Sequence, residues 1–336
     1  MTDEDDYELD LNLEEDDDGP SRPLRFLPEG RWLVETTTRT IHGRYLLLPS
    51  PGANTIIRGV LARANFVVSN VKIVSFWFLS NHFNLLLEVP NSAALSKFMN
   101  HVNSELARRL GRLYDWPDKF WSRRYRAIVI VGARAQVRRL KYLLAQGTKE
   151  NLVARPCDWP GVSSLRAVTE GAREFGVWFD ASAAYIAGKR GKRVRRSDFE
   201  TTFEILVHPL PCWSHLPSEE QRTQARELVR QIEEEARQKR AESGRKPLGA
   251  EKILRQDPQF RPEKVAKSPA PLVHALSRGE KNWFFDRYYR FSRRYRAAAE
   301  RFLGGGANAI NDFPPRCFLP RPPVGIRYQT EPAATG

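Results

Sequence analysis

The sequence predicts an α+β fold: a four-stranded antiparallel sheet with helices on one face, followed by a mostly helical C-terminal extension. Three observations carry this expectation. Val71–Val89, VKIVSFWFLSNHFNLLLEV, is the most apolar stretch of an otherwise polar chain, and its β-branched and aromatic residues read as two strands around a turn at Asn81. The segments on either side of it place apolar residues at helical spacing. The last half of the chain carries charged helical patterns separated by Gly- and Pro-rich sequence.

Taken in order, residues 1–28 hold many charges and few apolar side chains and are expected to be a disordered acidic tail. Arg31–Thr40 is a first strand through its Trp, Val and Thr residues. Ser50 and Pro51 supply an N-cap and a first-turn proline, and Ile56, Val60, Leu61 and Ala64 mark the buried face of the helix that follows. After the 71–89 hairpin, Asn91–Leu113 is a second helix with Leu95, Phe98, Val102, Leu106 and Leu110 on one face. Its Arg108, Arg109 and Arg112 suit the C-terminal dipole. A Trp- and Arg-rich loop at 115–126 leads to a strand, Ala127–Val131, and then to a third helix, Arg134–Gln146, which Gly147 ends. Strand–helix–strand–strand–helix–strand is the ferredoxin-like order, here with one helix added.

Further on, Thr201–His208 is one more strand, and Ser218–Glu242 is a long helix opened by a Ser218/Gln221 capping box. Trp283–Leu303 is a helix whose Phe284, Tyr288, Phe291, Tyr295, Ala298 and Phe302 form an apolar stripe. The expected divisions are the 1–28 tail, a 29–165 domain, a 166–242 basic accessory region, a 243–272 linker, a 273–303 basic aromatic helix and a 304–336 Gly/Pro-rich tail.

Net charge is +14, but the average hides a segregation. Residues 1–18 hold eleven acidic side chains and no basic one, so the rest of the chain has 54 basic against 29 acidic groups, a net +25. A body this basic implies a polyanionic partner, nucleic acid ahead of a membrane surface. Arginine clusters suit bidentate phosphate contact. The candidates are Arg123, Arg124 and Arg126 before the fourth strand, Lys189, Arg190, Lys192 and Arg193 in a basic run, and Arg287, Arg290 and Arg294 beside the aromatic stripe. Each group reads equally as a solvated surface.

The three cysteines, Cys157, Cys212 and Cys317, are far apart and form no CxxC pair, which argues against a zinc site or a disulfide framework. No signal peptide is visible, and Asn70, Lys72, Asn81 and His82 make 66–89 too polar to span a bilayer. The expectation is a soluble, cytoplasmic, nucleoid-associated protein.

Strand side chains alternate, so His82 and Asn84 share a face and Phe83 takes the other. Tyr142 and Gln146, four apart, share one face of the third helix. On spacing alone both pairs read as ordinary packing more readily than as chemistry.

Four stretches, TTTRTIHGR, SNHFNLLLEV, FWSRRYRAIVI and YLLAQGTKENLVARPCDWPGVSS, occur in an order and spacing that resembles the REP-associated tyrosine transposases. These are insertion-sequence transposases of the HUH superfamily, which act on single-stranded DNA, and the resemblance covers roughly residues 30–165. In that family a His–apolar–His strand and a polar residue of the last helix hold one divalent metal, and a tyrosine of that helix attacks a DNA phosphate. The resemblance implies Tyr142 as nucleophile and His82, Asn84 and Gln146 as ligands of Mg²⁺ or Mn²⁺, with Asn84 standing where the family has its second histidine. It implies cleavage and rejoining of hairpin-forming single strands through a 5′-phosphotyrosine, which conserves bond energy and needs no ATP. A homodimer is compatible with this reading. Two others stay open: a non-catalytic DNA-binding descendant, and an RNA-binding protein that stacks bases on Trp77 and Phe83 of an open sheet.

Overall fold

A computed structural model describes residues 24–191, 194–263, 271–304, 307–315 and 317–320. Within them the chain forms β1 (Trp32–Arg39), α1 (Pro51–Val67), β2 (Lys72–Phe78), β3 (His82–Val89), α2 (Ser92–Leu113), β4 (Arg126–Ile130), α3 (Ala133–Leu144) and α4 (Gln146–Lys149). There follow α5 (Leu165–Glu170), β5 (Glu174–Phe179), α6 (Ala181–Lys189), β6 (Glu200–Ile205), α7 (Ser218–Ser243), α8 (Ala250–Leu254), β7 (Val273–His274) and α9 (Arg278–Leu303). Lys192, Arg193, nearly all of the acidic 1–28 tail, residues 264–270 of the expected linker and most of the 304–336 tail lie outside the described residues.

The main sheet has the order β2-β3-β1-β4-β7, and β5 and β6 pair separately. β2 with β3, β3 with β1 and β1 with β4 are all antiparallel. The expected four-stranded antiparallel sheet is nevertheless corrected, because β7 adds to β4 in parallel and makes the sheet five-stranded and mixed. A two-residue strand is too short to carry an alternating pattern, so nothing in its sequence announces it.

The expectation of helices on one face is corrected too. Phe83, Leu85 and Leu87 of β3 join the core under α1 and α2, whereas Leu86 joins a second core with Trp77, Leu140, Leu143, Leu228 and Ile232 under α3 and α7. The unbroken run Leu85–Leu87 is what burial on both faces requires. It also excludes an open base-stacking platform, since Trp77 and Phe83 are both 0 % exposed.

The helix starts follow local chemistry. Ser50 Oγ accepts the Ala53 N–H at 3.1 Å to cap α1, and Asn91 Oδ1 accepts the Ala94 N–H at 2.8 Å to cap α2. At α7 the expected capping box is absent. Pro217 is the N-cap, and the Gln221 amide donates instead to the carbonyls of Trp213 and Leu216, at 3.1 and 2.8 Å. A capping box does open α9, between Ser277 and Glu280.

Gly147 does not end the third helix. The break comes earlier, at Ala145, and Gly147 lies inside α4, where a Cβ would press on Val153, Trp159 and Trp77. The described part of the 243–272 stretch is anchored rather than a free linker: Leu248 and Gly249 N–H donate to the Asn151 and Leu152 carbonyls at 3.1 and 2.9 Å, and Ile253 of α8 is buried in the core with α3 and α7. β5 and β6 pack on α1, on the far side of the main sheet from α3. Among the described residues no helix is long and apolar enough to cross a membrane.

Candidate active site

Alternation along β3 sends His82 and Asn84 to the α3 side of the sheet. Nδ1 of the half-buried His82 lies 2.8 Å from Asn81 Oδ1. With that oxygen accepting, Nδ1 carries the proton and Nε2 keeps its lone pair. Gln146 lies close enough to the His82 ring to act on its pKa, so a strand residue and a helix residue singled out by the sequence come together. Burial pushes the His82 pKa down to about 4; Arg39, its cross-strand neighbour, pushes the same way and Gln146 opposes both. The imidazole is therefore neutral at pH 7. Asn84 is 3 % exposed, and its Oδ1 accepts a hydrogen bond from Thr37 Oγ1 at 2.6 Å.

Tyr142 is half-buried on α3, with cations on its ring: the Arg139 guanidinium 3.9 Å and the Lys149 ammonium 4.7 Å from the centroid. Among the described residues no hydrogen bond joins Tyr142 to His82, Asn84 or Gln146. The Lys149 ammonium favours an anion beside the ring.

Beneath Tyr142 lies a network that sequence reasoning missed. Arg139 grips Glu35 bidentately, Nε to Oε2 at 2.6 Å and Nη2 to Oε1 at 2.8 Å, and His274 Nε2 stands 3.4 Å from Glu35 Oε2. Glu35 is 3 % and Arg139 9 % exposed. Burial pushes the Glu35 pKa up, but the nearby His274 imidazole and the charge and hydrogen bonds of Arg139 outweigh it and hold the carboxyl at about 2. The network ties β1 and β7 to α3 and fixes the guanidinium on which the Tyr142 ring rests. Two signals were present in the sequence: a lone carboxylate inside WLVETTTR, and an arginine on the apolar face of the third helix.

The basic candidates divide. Arg126 pairs with Thr37 one step from the Arg39–His82 pair. Burial lowers the Arg126 pKa, and Arg123 and Arg39 push it the same way, so three guanidiniums gather at the end of the sheet that carries His82. Arg124 stacks over Tyr125. The remaining candidates stand apart from this group. Lys189 and Arg190 end α6, with β5 and β6 on the α1 side. Arg287 lies over Trp283, Arg290 pairs with Asp286, and Arg294 donates to the Asp312 carbonyl.

Among the described residues no three His, Cys, Asp or Glu side chains are grouped to hold a metal. His82, Asn84 and Gln146 offer one imidazole nitrogen and two amide oxygens, a neutral N/O set whose chemistry fits a hard divalent ion such as Mg²⁺ or Mn²⁺. Asn81 acts on that set from behind, orienting the His82 ring so that Nε2 is the donor.

Residues 55–146 match the family model described as Transposase IS200 like. The matched segment contains His82, Asn84 and Tyr142 and ends on Gln146. Among solved structures, the REP-associated tyrosine transposase bound to a REP hairpin is similar over 45 % of this chain and 87 % of its own, at 17 % identity and a TM-score of 0.38. A protein of Deinococcus radiodurans R1 assigned as a transposase is similar over 38 % of this chain and 96 % of its own, at 14 % identity and a TM-score of 0.27. No curated protein matches the chain.

Proposed function

Because residues 55–146 match the family model described as Transposase IS200 like, we propose that the chain is a transposase that cleaves and rejoins single-stranded, hairpin-forming DNA. One observation carries the reading: the matched segment encloses His82 and ends on Gln146, which come together across strand and helix.

In the proposed reaction Tyr142 Oη bonds to the scissile phosphorus while the bond from phosphorus to O3′ breaks. The phenol gives up its proton and O3′ gains one, leaving a 5′-phosphotyrosine and a free 3′-OH. A phenol of ordinary pKa, about 10, is a weak nucleophile at neutral pH and depends on its surroundings. Lys149 draws the phosphate toward the ring, and Arg139, held by Glu35, keeps the ring in place. Arg39 and Arg126 add positive charge at the His82 end of the sheet. His82, Asn84 and Gln146 would hold Mg²⁺ or Mn²⁺, which when bound supplies Lewis-acid stabilisation of the phosphate oxygens. Attack of the 3′-OH on the phosphotyrosine reverses the chemistry and rejoins the strand.

A second reading, a descendant that binds DNA without cutting it, is favoured by one feature: the Asn84 oxygen already accepts from Thr37. A metal titration of hairpin cleavage separates the two. Wild type should cleave with Mn²⁺, and Asn84→His should need less metal for half-maximal cleavage because imidazole is the stronger donor toward Mn²⁺. His82→Ala should lose metal-dependent cleavage. If wild type is inert and Asn84→His cleaves, the protein is the binding descendant; cleavage by His82→Ala at the wild-type level removes the metal site from this strand.

A further inference from the structure

We propose that the groove between α3 and α7 is the track along which single-stranded DNA reaches Tyr142. This rests on the reaction proposed above and adds where its substrate lies.

The groove has a volume of about 960 Å³ and is lined by both helices, with Tyr142 in its wall. The helices run in the same direction: Gln136 accepts from the Cys212 N–H near the start of both, Lys141 bonds Gln231 and Glu235 midway, and Asn151 donates to the Lys246 carbonyl at the far end. A 12-residue helix gives the track a length of about 18 Å, room for several nucleotide units.

The lining has two characters. Val137, Trp213, Leu228 and Ile232 supply apolar surface, whereas Arg134, Lys149, Lys239, Arg240 and Arg245 supply positive charge. Glu235 is the lining carboxylate, and Lys141 pairs with it at 2.6 Å. The outward arginines of α7 are neutralised within the helix: Arg222 and Arg226 by Glu219, Arg230 by Glu227, and Arg237 by Glu234. On the groove side this pattern stops. Among the described residues no carboxylate pairs with Arg134, Lys239 or Arg245, and Arg240 Nη1 is enclosed without an acceptor. The same helix thus presents a balanced face to solvent and an unbalanced positive one to Tyr142.

A cationic rim over an apolar floor matches a single strand, which offers phosphates and unpaired base faces together; a duplex offers mainly phosphates. Continuity with Tyr142 selects DNA that is to be cut.

The test is binding by the full-length chain. Arg134→Ala, Lys239→Ala and Arg245→Ala together should lower the slope of log K against log salt by about 2 for an unstructured oligonucleotide of about 20 residues, about 0.7 for each lost phosphate contact. Affinity should fall about tenfold at low salt, while a blunt hairpin without a single-stranded flank should lose less than about twofold. An unchanged slope, or equal losses on both substrates, overturns the inference. Independently of any variant, 5-iodouracil placed in the single strand should photo-cross-link wild type within 133–149 or 213–245; cross-links confined to other segments also overturn it. Neither assay reads cleavage. Groove binding without a Tyr142 adduct keeps this inference and removes the reaction, and an adduct without groove binding does the reverse.

Discussion

Glu35 and Arg139 are the pair on which the position of Tyr142 depends. A bidentate ion pair this deep is costly to break from one side, because the surviving charge is left without a partner. Arg139→Met should therefore destabilise the fold by about 3–5 kcal/mol in a denaturant titration. The pair also sets a pH dependence. The folded pKa of Glu35, about 2, lies below its ordinary 4.5, so its contribution is complete above about pH 4.5 and is lost as pH falls toward 2. That contribution is on the order of 3 kcal/mol. Glu35→Gln should flatten this part of the acid unfolding curve. His274, whose pKa burial lowers, also sheds stability on the acid side, so the comparison belongs between pH 4.5 and 2, below the ordinary 6.5 of a histidine.

At the scale of elements, the sequence was most readable where one face of a regular element is buried. Ser50 and Asn91 open α1 and α2, and the alternation of His82, Phe83 and Asn84 is the one found. It was least readable where tertiary contact decides. Gly147 looked like a stop signal, but it lies inside α4, where a Cβ would crowd the Val153 side chain. Ser218 and Gln221 have the spacing of a capping box, yet Gln221 finds better acceptors in the preceding turn. β7 owes its existence to β4, and no local pattern marks it. Of the proposed site, His82, Asn84, Tyr142 and Gln146 could be found from spacing and resemblance, whereas Glu35 and His274 required knowing which strands neighbour α3.

A second close approach gives an element-scale prediction. Gly59 of α1 faces Gly176 of β5, and a Cβ on Gly59 would collide with the Val177 carbonyl oxygen, which is backbone and cannot move aside cheaply. Gly59→Ala should cost about 1–3 kcal/mol and loosen β5 and β6, read as faster amide exchange there with the α3 side unchanged.

Over the whole molecule, charge is sorted rather than spread. Arg287, Arg290 and Arg294 of α9 are engaged nearby, with Trp283, Asp286 and the Asp312 carbonyl, and Arg230 and Arg237 of α7 are paired with glutamates of their own helix. Positive charge also collects around α3 and at the His82 end of the sheet. Replacing Arg287, Arg290 and Arg294 by Ala should accordingly change the salt slope of single-strand binding by less than about 0.7, one phosphate contact. A larger change would place the strand on α9.

Trapping the covalent intermediate shows whether Tyr142 is the nucleophile of a strand transfer. Wild type incubated with a 5′-phosphate-spanning, labelled hairpin and Mn²⁺ should give a protein–DNA adduct that survives denaturation and maps by mass spectrometry to the peptide containing Tyr142. Tyr142→Phe should bind the same hairpin with nearly unchanged affinity and give no adduct, since only the attacking oxygen is removed. An adduct of equal yield in Tyr142→Phe, or one mapping to another tyrosine of wild type, would contradict the account.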